Sequence, residues 1–515
     1  MVMPRLHAPA GASGIGLPQP LAPSEAARIR RIFALQRAGN PQAAAIETGR
    51  LTDQTLLGHI LADRYLARAS RVSAPALSDW LGRYADLPDA CAIYTLLLHR
   101  LPAGAPRPAP PPSATLASTE AGAAAQAGLQ GGPARDALLR GRDAAALRIG
   151  RTAWERSQGR DGASAYVAGL AAWRMQDAGT AASLFGAASL AADAGPAQRA
   201  AAAYWAGRAH LHQGDLIGWR NWLLRAAAEP QTLHGMLARS LLGLHPLPAL
   251  PSPTLAEADL DAVSNTMHGR RAFALLQVGE PDRAEAELRL LWAQAQSDPP
   301  LARAVGLVAD AAGLTQLVAD IAEAAAGGAA PLPTPALRPR GGFSLNPSLV
   351  YAVAFVESRF DSSANSAAGA HGLMQLTAIA AGALGRDAIS AYAQRDPAQN
   401  LKLGQQYLHY LSRPDIAGDD LLRVLASYNA GPNALSRWKF AQTDDPLLFL
   451  ETIPTDETRR FVSRTLIASW SYAARFGAPA PSLDALAADG WPRFSEEEKE
   501  SMFFFEKKNQ KTFIN

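Results

Sequence analysis

Apolar side chains return every three to four positions along most of this chain, which is the spacing of helices buried along one face. Ser24 stands where a capping residue would, ahead of a first helix carrying Ala27, Ile29, Ile32, Phe33 and Leu35. Leu51, Leu56, Leu57, Ile60 and Leu61 predict a second helix. Leu77, Trp80 and Leu81 predict a third, ending near Leu87-Pro88. Short helices in succession suggest a solenoid of helix pairs. The pattern resumes from Ala134 to Leu244, where Trp154, Tyr166, Trp173, Phe185, Tyr204, Trp205, Trp219 and Trp222 recur among alanines and read as wedges between helices. Ala168–Trp173 and Ala206–Leu211 read as matching parts of successive units of about 35 residues, close to the tetratricopeptide period. Residues 255–326 carry further helices.

A different pattern begins at Asn346, a good N-cap followed by Pro347 at the first helical position. Leu349, Val353, Val356 and Phe360 form one apolar stripe, and Val350, Ala354 and Glu357 form its neighbour. The stripe is apolar until the glutamate. A carboxylate at such an edge loses water, which raises its pKa and suits a general acid. A capping or salt-bridged glutamate would occupy the same position, and the helix alone leaves both readings open. Ser362–His371 reads as a loop of small residues. Gly372-Leu373-Met374-Gln375-Leu376 is expected to start a new helix that Gly385 terminates. Leu425–Pro432 closes another helix with Tyr428, Asn429, Gly431 and Pro432. A phenol and an amide beside an acid suit a sugar's hydroxyls and N-acetyl group. Ile453–Val462 opens a further helix.

Composition narrows the class. The chain has 515 residues, enough for several domains and a large core, and its abundant alanine favours closely packed helices. A net charge of +3 gives no pull toward nucleic acid. The single cysteine, Cys91, lies in an apolar helical run, so a buried free thiol is expected and no internal disulfide is possible. No run of apolar residues is long enough to span a bilayer, and no His/Cys cluster suggests a metal.

The blocks E-S-R-F, G-A-H-G-L-M-Q-L, Y-N-A-G-P and I-P-T-D-E-T-R-R-F-V, in this order, resemble the soluble lytic murein transglycosylases over roughly residues 340–478. Gln36–Gly39, Leu57–Leu66 and Ala203–Ala209 look like parts of that family's α-superhelix. The resemblance implies an all-α chain, an N-terminal superhelical solenoid followed by a small lysozyme-like catalytic domain. It implies non-hydrolytic cleavage of peptidoglycan between N-acetylmuramic acid and N-acetylglucosamine, leaving 1,6-anhydro ends. By motif, Glu357 matches the single acid/base, while Ser358, Ser366, Gln375, Tyr428, Asn429 and Glu457 match the lining of the sugar groove. The alternatives are a lysozyme-type hydrolase, which needs a second carboxylate, and a non-catalytic helical-repeat scaffold. Asp361 reads as a capping or solvated residue rather than that second carboxylate, and His371 as a solvent-facing loop histidine. Thr377 replaces the family's usual methionine after G-L-M-Q-L, which bears on subsite affinity.

The implied partner is the peptidoglycan glycan strand, with no cofactor and no metal. The implied location is the periplasm. The first twenty residues lack the apolar core of a secretory signal, so a leader upstream of this start is expected. The expected organisation is a disordered terminus over 1–23, the first part of the superhelix over 24–101, a Pro/Ala/Gly-rich linker over 102–134 and tetratricopeptide-like pairs over 135–328. A Pro-rich connector (329–342), the catalytic domain (343–478) and a tail (479–515) complete it. From 495 onward the composition changes abruptly, and Phe503-Phe504-Phe505 would form an apolar patch there.

Overall fold

The computed structural model describes residues 16–67, 72–102, 107–111, 132–245, 254–324, 332–333, 337–366, 368–384, 396–438 and 443–498. Most of the expected 102–134 linker, the end of the chain beyond 498 and the expected helix stop at Gly385 lie outside them. Among the described residues every regular element is helical, so the chain is all-α. None of the described helices is long and apolar enough to cross a membrane. Contacts divide the chain into two compact units. One joins Met1–Ser118 to Pro251–Ile321, and the other joins Thr119–Leu250 to Ala322–Asn515.

The first unit packs five helices from Pro23–Arg37 to Ala90–Arg100 with those from Glu257–Ser264 to Thr315–Ala324. Ile29, Ile32, Phe33, Trp80, Ile93, Phe273 and Leu288 are all buried. The first helix starts at Pro23, one residue before the expected cap at Ser24, because proline's fixed φ and missing N–H suit the first turn. Cys91 is exposed, contrary to expectation. The helix buries Ala90, Ile93 and Leu97, and position 91 points off that stripe.

Polar ties join the two sequence segments of this unit. Gln277 exchanges hydrogen bonds with the backbone of Leu21, at 2.9 and 2.8 Å. The fully buried Glu287 accepts from His59 Nε2 at 2.8 Å and from His268 Nδ1 at 2.6 Å. Burial pushes the Glu287 carboxyl up, but the two imidazole bonds outweigh it and hold the group below its usual range. Burial likewise pushes His59 down, and Asp89 and Glu287 more than reverse this.

The second unit begins with antiparallel helices from Gly132–Leu139 to Leu233–Leu241. Asp161, Asp177 and Asp215 each cap a helix by accepting the N–H three residues on, at 2.9–3.0 Å. Of the aromatic positions read as wedges, Tyr166, Phe185, Tyr204 and Trp205 are buried, while Trp154, Trp173, Trp219 and Trp222 are half-buried. Gly169 is a close-approach position, since a Cβ there would lie 2.7 Å from the Phe185 ring. The remaining helices of the unit run from Pro347–Ser358 to Pro481–Ala487. Arg208 lies over the Trp205 ring at 4.5 Å and pairs with Asp445 at 3.0 Å and Asp489 at 3.1 Å, so it links the first helices of the unit to the later ones.

Glu287→Ala leaves two buried histidines without their carboxylate. It is expected to cost about 3–5 kcal/mol, read as an earlier urea midpoint. The pH sense follows from the two shifts. The contribution of Glu287 is lost as pH falls below its usual 4.5, and that of His59 is lost as pH rises above its usual 6.5, so the difference between wild type and variant is expected to peak between those values.

Candidate active site

The Pro347–Ser358 helix is buried on nearly every side, with Leu349, Val350, Ala352, Val353 and Ala354 fully enclosed. Such a helix reads as apolar all round because its packing leaves no wet face. Asn346 caps it, accepting from Ser348 N at 3.0 Å. Its long neighbour, Asp456–Phe476, packs along it. The helix ends earlier than the apolar stripe suggests. Arg359 and Phe360 both take left-handed backbone, with φ of 54° and 65°. Phe360 therefore leaves the helix but still buries its ring, 6.2 Å from the rings of Tyr351 and Phe355.

Glu357 occupies the last turn of this helix. Burial first, and then the negative charge of Glu457, push its pKa up to about 8. The C-terminal end of a helix dipole acts in the same sense. Near neutral pH Glu357 is therefore mostly protonated and able to donate. Tyr428 is close enough to feel the same carboxyl, and its own pKa is driven well above the phenol range, first by burial and then by Glu357. Its ring lies parallel to that of Phe461 at 5.9 Å, and its hydroxyl donates to the Met374 carbonyl at 2.6 Å.

The other expected groove residues fall into two sets. Asn429 lies next to Tyr428, and its Oδ1 accepts from Thr458 Oγ1 at 2.6 Å, which joins it to the turn carrying Glu457. Ser358, Ser366 and Gln375 brace the loop after the helix. Ser358 Oγ donates to the Leu373 carbonyl at 2.7 Å. Ser366 Oγ accepts from Ala370 N at 3.0 Å. Gln375 Nε2 donates to the carbonyls of Gly372 and Ala364, at 3.0 and 3.2 Å. Asp361 caps a turn by accepting from Ser363 N at 2.7 Å, as its place after the helix suggests. His371 Nδ1 lies 2.6 Å from Asn365 Oδ1 on the solvent side.

The expected helix start at Gly372–Leu376 is corrected by the structure. Gly372 and Gln375 have positive φ, 73° and 43°, which a right-handed helix cannot accommodate. The segment is instead a tight turn closed by paired hydrogen bonds between His371 and Leu376, both 3.1 Å. Buried Asn400 holds it from below, accepting from Met374 N at 2.7 Å and donating to the His371 carbonyl at 3.1 Å. The helix begins at Ala378 with Thr377 as its cap, accepting from Ala380 N at 3.2 Å. Thr377 is thus explained locally by capping. Asn400 and Thr458 shape the site but escaped the sequence reading. Neither stands out in its own segment, and each acts on a residue 26 or more positions away.

Residues 338–446 match the family model described as the transglycosylase SLT domain. The similarity to that domain family is carried by this stretch of the chain. The SLT match contains Glu357, the Gly372–Leu376 turn and the Tyr428-Asn429 pair, and it ends before Glu457. Two curated relatives, the soluble lytic murein transglycosylases of Escherichia coli (strain K12) and Salmonella typhimurium, are 31% and 30% identical over 159 and 160 residues. Each match covers 30% of this chain, and it spans only 24% of the relative's length. The crystal structure of the 70 kDa soluble lytic transglycosylase from Escherichia coli superposes with a TM-score of 0.51 at 16% identity, over 92% of this chain and 99% of that one. That likeness is one of fold.

A glutamate held protonated by the fold lowers stability wherever the unfolded chain would ionise it. The folded pKa of Glu357 lies above the usual value of 4.5, so this penalty is absent below pH 4.5 and grows until about pH 8. Glu357→Gln is therefore expected to melt higher than wild type at pH 7.5 and level with it at pH 4, as read by calorimetry in matched buffers.

Proposed function

We propose that this chain cleaves the β-1,4 bond between N-acetylmuramic acid and N-acetylglucosamine in peptidoglycan without using water, and leaves 1,6-anhydro-muramyl ends. The observation that carries this reading is the place of Glu357, in the last turn of a buried helix inside the stretch that matches the SLT domain, where burial pushes its pKa up to about 8. In the first step Glu357 gives its proton to the glycosidic oxygen while the C1–O4 bond breaks, and the substrate's own 2-acetamido carbonyl stabilises the cation at C1. In the second step the ionised Glu357 takes the proton of the muramyl O6 hydroxyl, and O6 bonds to C1. The proton count balances and Glu357 returns to its acid form. Ring closure by a neighbouring hydroxyl benefits from a high effective molarity, provided that water is kept from C1.

In this reading Tyr428, Asn429 and Glu457 line the groove beside the acid, and Ser358, Ser366 and Gln375 hold the loop that forms its wall. On the same reading the domain over 343–478 cleaves the strand, and the helix pairs over 24–101 and 135–328 position it or limit its access. The substrate places the protein's work in the periplasm, with glycan strands as its partner. A second reading follows from one observation, the charge of Glu457 on Glu357. If Glu457 were the base or nucleophile of a two-carboxylate site, the chain would be a lysozyme-type hydrolase.

Mass spectrometry of muropeptides released from purified peptidoglycan separates the two. Wild type is expected to give products lighter by one water than hydrolytic ones. Glu357→Gln is expected to lose at least about a hundredfold in rate. Glu457→Gln is expected to keep the anhydro product. Hydrated reducing ends that vanish with Glu457→Gln would establish the hydrolase instead.

A further inference from the structure

The Asn429 amide is gripped at one end. Its Oδ1 lies 2.6 Å from Thr458 Oγ1, and an amide oxygen can only accept, so the single hydroxyl proton of Thr458 is spent on it. Thr455 Oγ1 stands 2.8 Å from Thr458 Oγ1, and with that proton already spent Thr455 must be the donor of the pair. The sense of the chain is thereby fixed, from Thr455 to Thr458 to Asn429. Thr455 occupies the N-cap position of the Asp456–Phe476 helix, where a threonine oxygen ordinarily accepts an N–H of the first turn. Here it makes no such bond, and its hydroxyl is turned to Thr458 instead.

Thr458 is enclosed, with 2% of its surface exposed, whereas Asn429 is half-buried. With Oδ1 held against the enclosed hydroxyl, the accessible end of the Asn429 amide is Nδ2. Among the described residues its two N–H groups have no protein acceptor. Two further bonds give the place of that end. Ser358, next to Glu357, donates to the Leu373 carbonyl at 2.7 Å, and Tyr428, next to Asn429, donates to the Met374 carbonyl at 2.6 Å. Glu357 and Asn429 therefore flank the same turn, each one residue from a side chain that holds it.

We propose that Thr458 is a positioning residue, which fixes the Asn429 amide so that Nδ2, and not Oδ1, meets the glycan. The position then takes a hydrogen-bond acceptor, the carbonyl oxygen of an N-acetyl group, and disfavours an ammonium group, which would set donor against donor. This inference rests on the reading of the groove proposed above and adds a discrimination to it, between N-acetylated and de-N-acetylated sugars. An asparagine free to turn would make none, because half a turn of its amide exchanges the oxygen for the nitrogen.

The test is a calorimetric titration of the full chain, in a Glu357→Gln background that prevents cleavage. The probes are chitotetraose and its fully de-N-acetylated counterpart, in mildly acidic buffer where the sugar amines are protonated. Thr458→Val keeps the shape of the side chain and removes its proton. It is expected to lower the preference for the acetylated sugar by about tenfold, because one hydrogen bond is lost to one sugar and gained by the other. Thr458→Ser restores the proton and is expected to keep the wild-type preference. In an Asn429→Ala background, adding Thr458→Val is expected to change nothing. The proposal is overturned if Thr458→Val keeps the preference, if Thr458→Ser loses it equally, or if Thr458→Val still lowers it once the Asn429 amide is gone. A second measurement needs no ligand. Nitrogen relaxation of the Asn429 side-chain amide, in asparagine-labelled chain and assigned through Asn429→Ala, is expected to show an ordered group in wild type and Thr458→Ser and a mobile one in Thr458→Val. A mobile amide in wild type would overturn the positioning role. An ordered amide in a chain that binds neither sugar would sink the function proposed above and leave that role standing.

Discussion

Glu357 sits where a helix enclosed on nearly every side meets a braced loop, and the cost of removing its carboxyl from water governs much of what surrounds it. A lone ionised carboxylate there would be strongly disfavoured, so the group keeps its proton. The fold adds to this pressure: it places the acid at the negative end of its helix and sets a second carboxylate against it. A surface glutamate with the same neighbours would titrate normally. The chemistry therefore depends on the packing of the Asp456–Phe476 helix along its partner and on the loop that closes over the end.

That loop shows how polar side chains can replace regular structure. Ser358, Gln375, Asn400 and Tyr428 spend hydrogen bonds on backbone carbonyls and amides that neither helix nor sheet satisfies. Several of these are the residues that the motifs single out as sugar contacts. Their first task in the folded chain is to hold one another. A substitution among them would change the groove's shape before it changed any contact with a ligand.

Much of the helical layout was legible because 3.6-residue periodicity and a capping residue or proline at a first turn are local signals. Glu357 was legible for the same reason, as one charge breaking an apolar stripe. The failures have local causes too. Gly372–Leu376 has helix-forming residues, yet two left-handed backbone positions, one of them at a glutamine, turn it into a tight loop. Cys91 looked buried because its neighbours are apolar, but only the stripe through Ala90, Ile93 and Leu97 faces the core. The long-range bonds of Asn400 and Thr458, and that of Tyr166 to Glu451, left no trace, although Tyr166 itself stood out as an aromatic wedge. The partners lie 26 to 285 residues apart, and no pattern along one segment encodes such a distance.

Each unit is assembled from two stretches of chain, and the stretches alternate along the sequence. A nascent chain leaving the ribosome thus presents the first five helices well before Pro251–Ile321 exists to cover them. At roughly 5–20 residues per second, the wait across the intervening stretch is on the order of ten seconds or more. His59 spends that interval without Glu287, and Tyr166 waits longer still for Glu451. Neither unit can close in the simple order of synthesis, so the half-made protein must keep two incomplete apolar faces from finding each other, or a neighbour's, before their proper halves arrive.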